Sequence, residues 1–474
     1  MNPESSLDKE ALQRAVEHAF DYLNGLTNRP VGPTITAEQL RDRLGGIMPA
    51  DGMDAIRVID DLAAGTNGGL MGSAGGRFFA WVIGGSLPSA LAADWLTSAW
   101  DQNAGIYVCS PAGAIVEEIA GAWLKELLDL PREASFAFTS GCQLAHFVCL
   151  AAARHAVLRD AGWDLSTNGL FGAPEIRVIT SDQRHASVDR ALRFLGFGSR
   201  SIITVPTGQD GTILVDAFRD VISQGGSPTI VVLNAGDLNM GVFDSFADLI
   251  PLAKAAGNAW VHIDGAFGLI ARASRTKRAL LAGVELADSW ATDGHKWLNV
   301  PYDSGLAFVR DQEAHRASMT TTASYISVDG KARDQIDWNP EWSRRERGFA
   351  LYAALRELGK SGVEKLVDRC CAHASALVTG IGALQGAEIL WQPILNQGLI
   401  RFRDPRPKAT EENHHARTES VIADVNASGE AYFSGTTWRG MRAMCVSVVN
   451  WRTDEEAVRR TIAAFASVLS ENRG

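Results

Sequence analysis

The 474-residue sequence contains no apolar run near the ~18 residues that a membrane-spanning helix needs. It has no surplus of positive charge: 45 Lys+Arg stand against 55 Asp+Glu, a formal net charge of −10. That balance argues against nucleic acid as a partner, because phosphate binding requires a basic patch or stripe. The six cysteines (Cys109, Cys142, Cys149, Cys370, Cys371 and Cys445) show no C-x-x-C spacing. They read as free thiols in a reducing cytoplasm. The opening MNPESSLDKEALQRAVEHAF carries acids early and lacks the apolar centre of a secretory leader. No G-x-G-x-x-G follows a predicted strand, which disfavours a nicotinamide dinucleotide enzyme. No metal site is expected; the pair His414 and His415 lies in a polar stretch, KATEENHHARTES.

What is present is the ordinary balance of a globular protein, 46% hydrophobic and 21% charged. At ~100–200 residues per domain the length allows two to four units. Leu7, Ala11, Leu12, Ala15, Val16, Ala19 and Leu23 recur at a helical period. After NRPVGPTIT a second helix opens near Thr36, and residues 65–77 read as a glycine-rich loop. Residues 1–75 thus form an arm without a core of its own. From about residue 110, β-rich runs (SFAFTS, EIRVITSD, SIITVPT, TIVVLNAG, AWVHIDGAFG, DSWATDG, SGLAFVR) alternate with amphipathic helices. This rhythm predicts βαβ units and a mostly parallel sheet covered on both faces, over residues 76–335. A long helix, the strands EILWQPI, GLIRFR and MCVSVVNW, and a closing helix make a small α+β unit over 336–474.

In open α/β sheets ligands bind outside the carboxyl ends of the strands. There the sequence places Asp264 after WVHI, Asp293, His295 and Lys296 after SWAT, His185 after VITSD, and Ser140, Gly141 and Cys142 before a helix. A lysine followed by Trp297, Leu298 and Val300 sits in a partly desolvated place, which suits a Schiff-base nucleophile. Small residues feeding a helix N-terminus make an anion cradle. A lysine, a carboxylate, an imidazole and a phosphate cradle are what pyridoxal 5′-phosphate requires. A carboxylate ~4 Å from the ring nitrogen, at an effective dielectric of ~20, attracts its proton by roughly 4 kcal/mol, or about three pKa units before desolvation.

ADSWATDGHKWLNVPYDSGLAFVR resembles the lysine region of the pyridoxal-phosphate-dependent group II amino-acid decarboxylases, which include the aromatic L-amino-acid, histidine and glutamate enzymes. Four further segments resemble the family in order and spacing: SPAGAIVEEIAGAWLKELLDLP, SDQRHASVDRAL, AWVHIDGAFG and DWNPEWSRRERGFALYAALRELG. The likeness runs from about Phe78 to Trp451. It implies the aspartate-aminotransferase-like fold (fold type I), an obligate homodimer with shared active sites, and an arm wrapped on the partner subunit. It also implies that Lys296 carries the cofactor, Asp264 meets the pyridine nitrogen and His185 stacks on the ring. His295 lies beside the phosphate, which meets Ser140, Gly141 and Cys142, and Asp293 occupies a position where many members carry Asn. The implied reaction removes CO₂ from an L-amino acid, aromatic or similar, and leaves the amine.

Some positions depart from the family. Three residues before Trp338, where aromatic decarboxylases carry a loop tyrosine, this chain has Gln335, with Tyr325 upstream as a substitute. That departure motivates the alternatives, an aldehyde synthase or a carbon–carbon lyase. NAGDLNMGVFD brings Asp237 toward the expected cofactor position, and Met444–Cys445–Val446 replaces an arginine-led strand, with Arg442 nearby. Trp81 and Tyr107, in segments that shape the substrate pocket of relatives, are candidate substrate contacts, as is Gln335. Arg344, with Arg345 and Arg347, either binds a carboxylate or braces the domain junction.

Overall fold

Seven apolar runs pair into one sheet in the computed structural model, which describes residues 4–321 and 333–471. They are β1 (Ser135–Thr139), β2 (Arg177–Ser181), β3 (Ile202–Val205), β4 (Thr229–Asn234), β5 (Ala259–Asp264), β6 (Ser289–Asp293) and β7 (Gly305–Val309). Their order is β1-β7-β6-β5-β4-β2-β3. The pairs from β6 through β5, β4 and β2 to β3 are parallel. Covered on both faces, β4 (TIVVLN) is buried at every position, as a continuous apolar run should be. The helix Cys142–Asp160 crosses beneath this sheet, and Ala145, Ala151, Ala152 and Ala153 let it approach closely.

Only β7 runs against its neighbours, antiparallel to both β1 and β6. The cause is the length of its connection. Residues 294–304 are too few for the crossover of a dozen or more residues that a parallel return demands. The chain therefore turns back at once, and the loop carrying Lys296 stays at the edge where β5 and β6 end.

A second sheet of four antiparallel strands, β8 (Ala387–Trp391), β9 (Gln397–Phe402), β10 (Ser434–Trp438) and β11 (Met441–Ser447), has the order β10-β11-β9-β8. Three of these match the sequence expectation. The fourth, SGTTW, has too little apolar alternation to announce itself, and it forms through its pairing with β11. The helix Gly348–Gly382 packs on the first sheet's helices at its start and on the second sheet at its end, with Gly359 (φ 57°) breaking it between. At the N-terminus, Glu4–Gly25 packs on Ala55–Thr66 through Arg14 and His18, both bound to Asp60. Leu12, Phe20, Ile47, Met48 and Leu62 remain exposed there. Among the described residues no helix is long and apolar enough to cross a membrane.

The three candidate arginines are all engaged inside the chain. Arg344 binds Glu117 at 2.6 Å with both side chains fully buried, Arg345 binds Asp94, and Arg347 binds Asp303 and Glu341. The buried pairing of Arg344 with Glu117 fits the bracing role of the two sequence readings. Burial, with Glu117 beside it, pushes the Glu346 carboxyl up to about 8. Arg344→Met is expected to cost about 3–5 kcal/mol of stability by leaving Glu117 buried and uncompensated, measured by denaturant unfolding.

Candidate active site

Strand register brings the predicted residues to one edge. Thr139 of β1 lies opposite Gly305 of β7, and Gly305 lies opposite Asp293 of β6. Ala291 of β6 pairs with Asp264 of β5, and Asp264 with Asn234 of β4. Gly305 is required here, because a Cβ on it would meet the Gly141 backbone at 2.4 Å. Gly141 then opens the helix Cys142–Asp160, whose first N–H groups point to the same edge. A Cβ on Gly141 would meet His295 Cε1 at 3.4 Å, so the space between the helix start and His295 is kept open on the backbone side. Backbone N–H donors, a helix N-terminus and an imidazole are the donor set that a phosphate takes.

Lys296 follows three residues after Asp293, whose Oδ2 lies 3.2 Å from its Nζ. Its side chain is 21% exposed, into the cleft. Burial disfavours its ammonium, but Asp293, with Asp264, outweighs that and holds the lysine above its ordinary pKa. Asn299, left-handed at φ 52°, ties this loop down. Its Oδ1 accepts from the N–H groups of Gly85 and Trp451, and its Nδ2 donates to the carbonyls of Trp297 and Val449. Gly84 lies directly against the loop, where a Cβ would meet the Lys296 carbonyl at 2.1 Å.

Asp264 is 6% exposed. Burial alone would raise its pKa, yet His146, and then His185 and Lys296, hold it well below the usual carboxylate range. It is therefore ionised and suited to a protonated ring nitrogen. His185 caps the helix Ala186–Phe194, its Nδ1 set 2.7 Å from Ser187 Oγ. Its ring is exposed in the open cleft, yet enough protein surrounds it that burial lowers its pKa, against the pull of Asp264. His295 accepts the Ser304 N–H at Nδ1, stacks on Tyr302 at 4.3 Å and is kept neutral by burial.

Lys296, Asp264, His185, His295, Asp293 and Gly141 thus converge, with Ser140 half-buried beside them. Cys142 serves differently from expectation. Its N–H goes to Asp293 Oδ1 at 2.6 Å, and its thiol turns to His146 Nε2 at 3.4 Å. Burial together with Asp293 and Asp264 keeps that thiol protonated. Asp237 does not present its charge to the cleft, because its carboxylate accepts the N–H groups of Asn239, Met240 and Val242 within its own loop. Nor does Gln335 reach Lys296 in this chain. It is buried, bound to Arg333, which donates to the carbonyl of Phe136, three residues before the cofactor-facing end of β1. Tyr107 donates its N–H to Asp334 in the same region, and Tyr325 lies outside the described residues. Trp81 is 53% exposed, on the loop that Gly84 anchors beside Lys296. Trp81 and Val82 both hold left-handed φ values of 55° and 57°, a strain of order 1–3 kcal/mol each.

Sequence reading missed His146, Asn299 and Gly84. A histidine among alanines on a helix reads as core, and neither a lone Asn nor a lone Gly announces what it touches. Gly84→Ala is expected to displace the Lys296 carbonyl and weaken pyridoxal 5′-phosphate binding by about tenfold or more, with far-UV circular dichroism unchanged. Absorbance titration of the cofactor-free protein checks this.

A model of the pyridoxal-dependent decarboxylase conserved domain matches residues 40–404. An aromatic-L-amino-acid decarboxylase of Bacillus atrophaeus is 27% identical, over 97% of this chain and 94% of the relative. A 4-hydroxyphenylacetaldehyde synthase of Rhodiola rosea is 26% identical, over 89% and 86%. The crystal structure of Oryza sativa TDC with PLP and tryptamine superposes with a TM-score of 0.92 at 24% identity, covering all of both chains, and so shares the fold. With the family matched over most of its length, the chain belongs to the pyridoxal-dependent decarboxylases and is a pyridoxal-phosphate-dependent amino-acid decarboxylase, a carboxy-lyase.

Proposed function

We propose that this enzyme decarboxylates an aromatic L-amino acid to its amine, with Lys296, Asp264 and His185 as catalytic residues. The observation that carries the reading is the convergence of the three on one strand edge, walled by His295 and the helix start at Gly141. The bound cofactor supplies an aldehyde that captures amines and a ring that accepts the electrons left when CO₂ departs. With the cofactor bound, Lys296 would give the attachment point, Asp264 would accept from the ring nitrogen, and His185 would contact the ring as candidate acid/base. His295, Ser140 and Gly141 hold the phosphate, together with the helix start at Cys142. Asp293 secures that start through the Cys142 N–H and orients Lys296.

The aromatic preference is supported by Trp81, which packs beside Phe78 and Tyr432 on the loop next to Lys296, and by the aromatic-L-amino-acid decarboxylase among the relatives. We infer also that the chain works in the cytoplasm as a homodimer of three-part subunits, with boundaries near residues 75 and 335. The apolar side chains left exposed on the arm, Leu12, Phe20, Ile47 and Met48, support its packing on a second copy. The aldehyde-synthase alternative is supported by the Rhodiola rosea relative and by a phenylacetaldehyde synthase of Arabidopsis thaliana, and not by Gln335, which is bound to Arg333.

The loaded enzyme, given a panel of L-amino acids in air, is expected to release CO₂ and an amine from an aromatic member without hydrogen peroxide. Aldehyde, ammonia and peroxide would instead identify the synthase, and no CO₂ from any member a carbon–carbon lyase. Because Asp293 keeps Lys296 protonated, and only the neutral amine attacks an aldehyde, cofactor uptake is expected to quicken about tenfold per pH unit from roughly pH 7 to 9. Stopped-flow absorbance measures this, and Asp293→Asn should raise the rate at pH 7.

A further inference from the structure

Behind Asp264 the core holds a line of polar side chains that the reaction as described does not use. His146 Nε2 lies 3.5 Å from Asp264 Oδ2, and His146 Nδ1 lies 2.9 Å from His262 Nε2. His262 Nδ1 lies 2.9 Å from Ser289 Oγ, which also accepts the indole N–H of Trp260 at 2.9 Å. His146, His262 and Ser289 are fully buried. Each imidazole is set edge to face against the other, and His262 and Ser289 are register partners across β5 and β6. The sheet and the helix Cys142–Asp160 therefore fix every link.

The two ends of the line differ in kind. An indole N–H can only donate, and an ionised carboxylate can only accept. An arrangement of protons that satisfies each link in turn can be traced from Trp260. Ser289 accepts from Trp260 and gives its own proton to His262 Nδ1. His262 then carries its proton on Nε2 and donates to His146 Nδ1. That leaves the His146 proton on Nε2, facing Asp264. For His262, burial disfavours a charge. The Cys142 thiol, 3.4 Å from the same Nε2, is protonated and is a far weaker acceptor than the carboxylate.

We propose that His146, backed by His262, Ser289 and Trp260, is a positioning residue that holds Asp264 as an ionised acceptor aimed at the ring nitrogen of the cofactor. The proposal rests on the assignment of Asp264 to that nitrogen. Reversing the line would turn a lone pair of His146 toward the carboxylate and force Asp264 to carry the proton. Asp264 would then be a donor where an acceptor is needed.

The test compares two probes on the cofactor-free full chain: pyridoxal 5′-phosphate, and its analogue with the ring nitrogen replaced by C–H. The ratio of their dissociation constants reports the Asp264–nitrogen contact and cancels general damage to the site, which weakens both alike. His146→Leu is expected to lower the preference for the natural cofactor about tenfold, the loss of one hydrogen bond to a charged group. His146→Gln, which keeps a side-chain N–H donor, should restore most of it. Ser289→Ala should shift the ratio in the same direction by less, and it serves as the variant if His146→Leu does not fold. An unchanged ratio in both His146→Leu and Ser289→Ala overturns the proposal. An unchanged ratio in Asp264→Asn would instead remove the assignment of Asp264 itself, so the two failures are distinguishable.

Discussion

The four hydrogen bonds of Asn299 join three stretches of chain that lie far apart in the sequence. One is the loop of Lys296, another the segment from Phe78 to Leu87 with its strained Trp81 and Val82, and the third the exit of β11 at Val449–Trp451. The Asn299 backbone adds a fifth tie by accepting the Leu87 N–H. Buried and left-handed, this residue turns its amide inward, where each donor and acceptor finds a backbone partner. The position of Lys296 relative to both sheets depends on it. A rigid attachment point matters for an enzyme whose selectivity lies in which bond at Cα stands perpendicular to a planar ring.

Two buried carboxylates near Lys296 have unlike surroundings and unlike duties. Asp264 is backed by imidazoles and kept ionised for the ring end of the site. Asp293 faces the helix start, the ammonium of Lys296 and the Nε2 side of His295. Asp293 accepts from the Cys142 N–H and lies against the Lys296 ammonium. The donors for a phosphate must then come from the backbone and from His295, whose Nδ1 is already satisfied by Ser304 and whose proton is left on Nε2.

Much of this was legible in the sequence because strands buried on both faces show as continuous apolar runs, and the residues after them mark one edge. Lys296, Asp264, His185 and His295 were found that way, and register brings them together. The antiparallel sense of β7 was written only in the shortness of the loop before it. Less accessible was anything that depends on distant partners. Arg344 beside Arg345 looks like a carboxylate binder until Glu117, more than two hundred residues earlier, is seen against it. Gln335 gives no sign of Arg333's hold, nor Asp237 of the turn it caps. His146 is a polar residue on an apolar helix face, and its meaning comes from His262, on a strand far along the chain.

The antiparallel β7 also bears on how the chain reaches this structure. β1 is the first strand made, yet its one neighbour in the sheet is β7. About 170 residues separate the two, so at ~5–20 residues per second β1 waits roughly 10–30 s on the ribosome for its partner. During that time β2 to β5 can pair among themselves, while the edge that will receive β1 does not yet exist. The pairing that closes the sheet is also the one that seats Gly305 against Gly141 and Asp293 against the helix start. The cofactor cradle therefore depends on the most sequence-distant contact in the sheet, which forms only after β7 has been made.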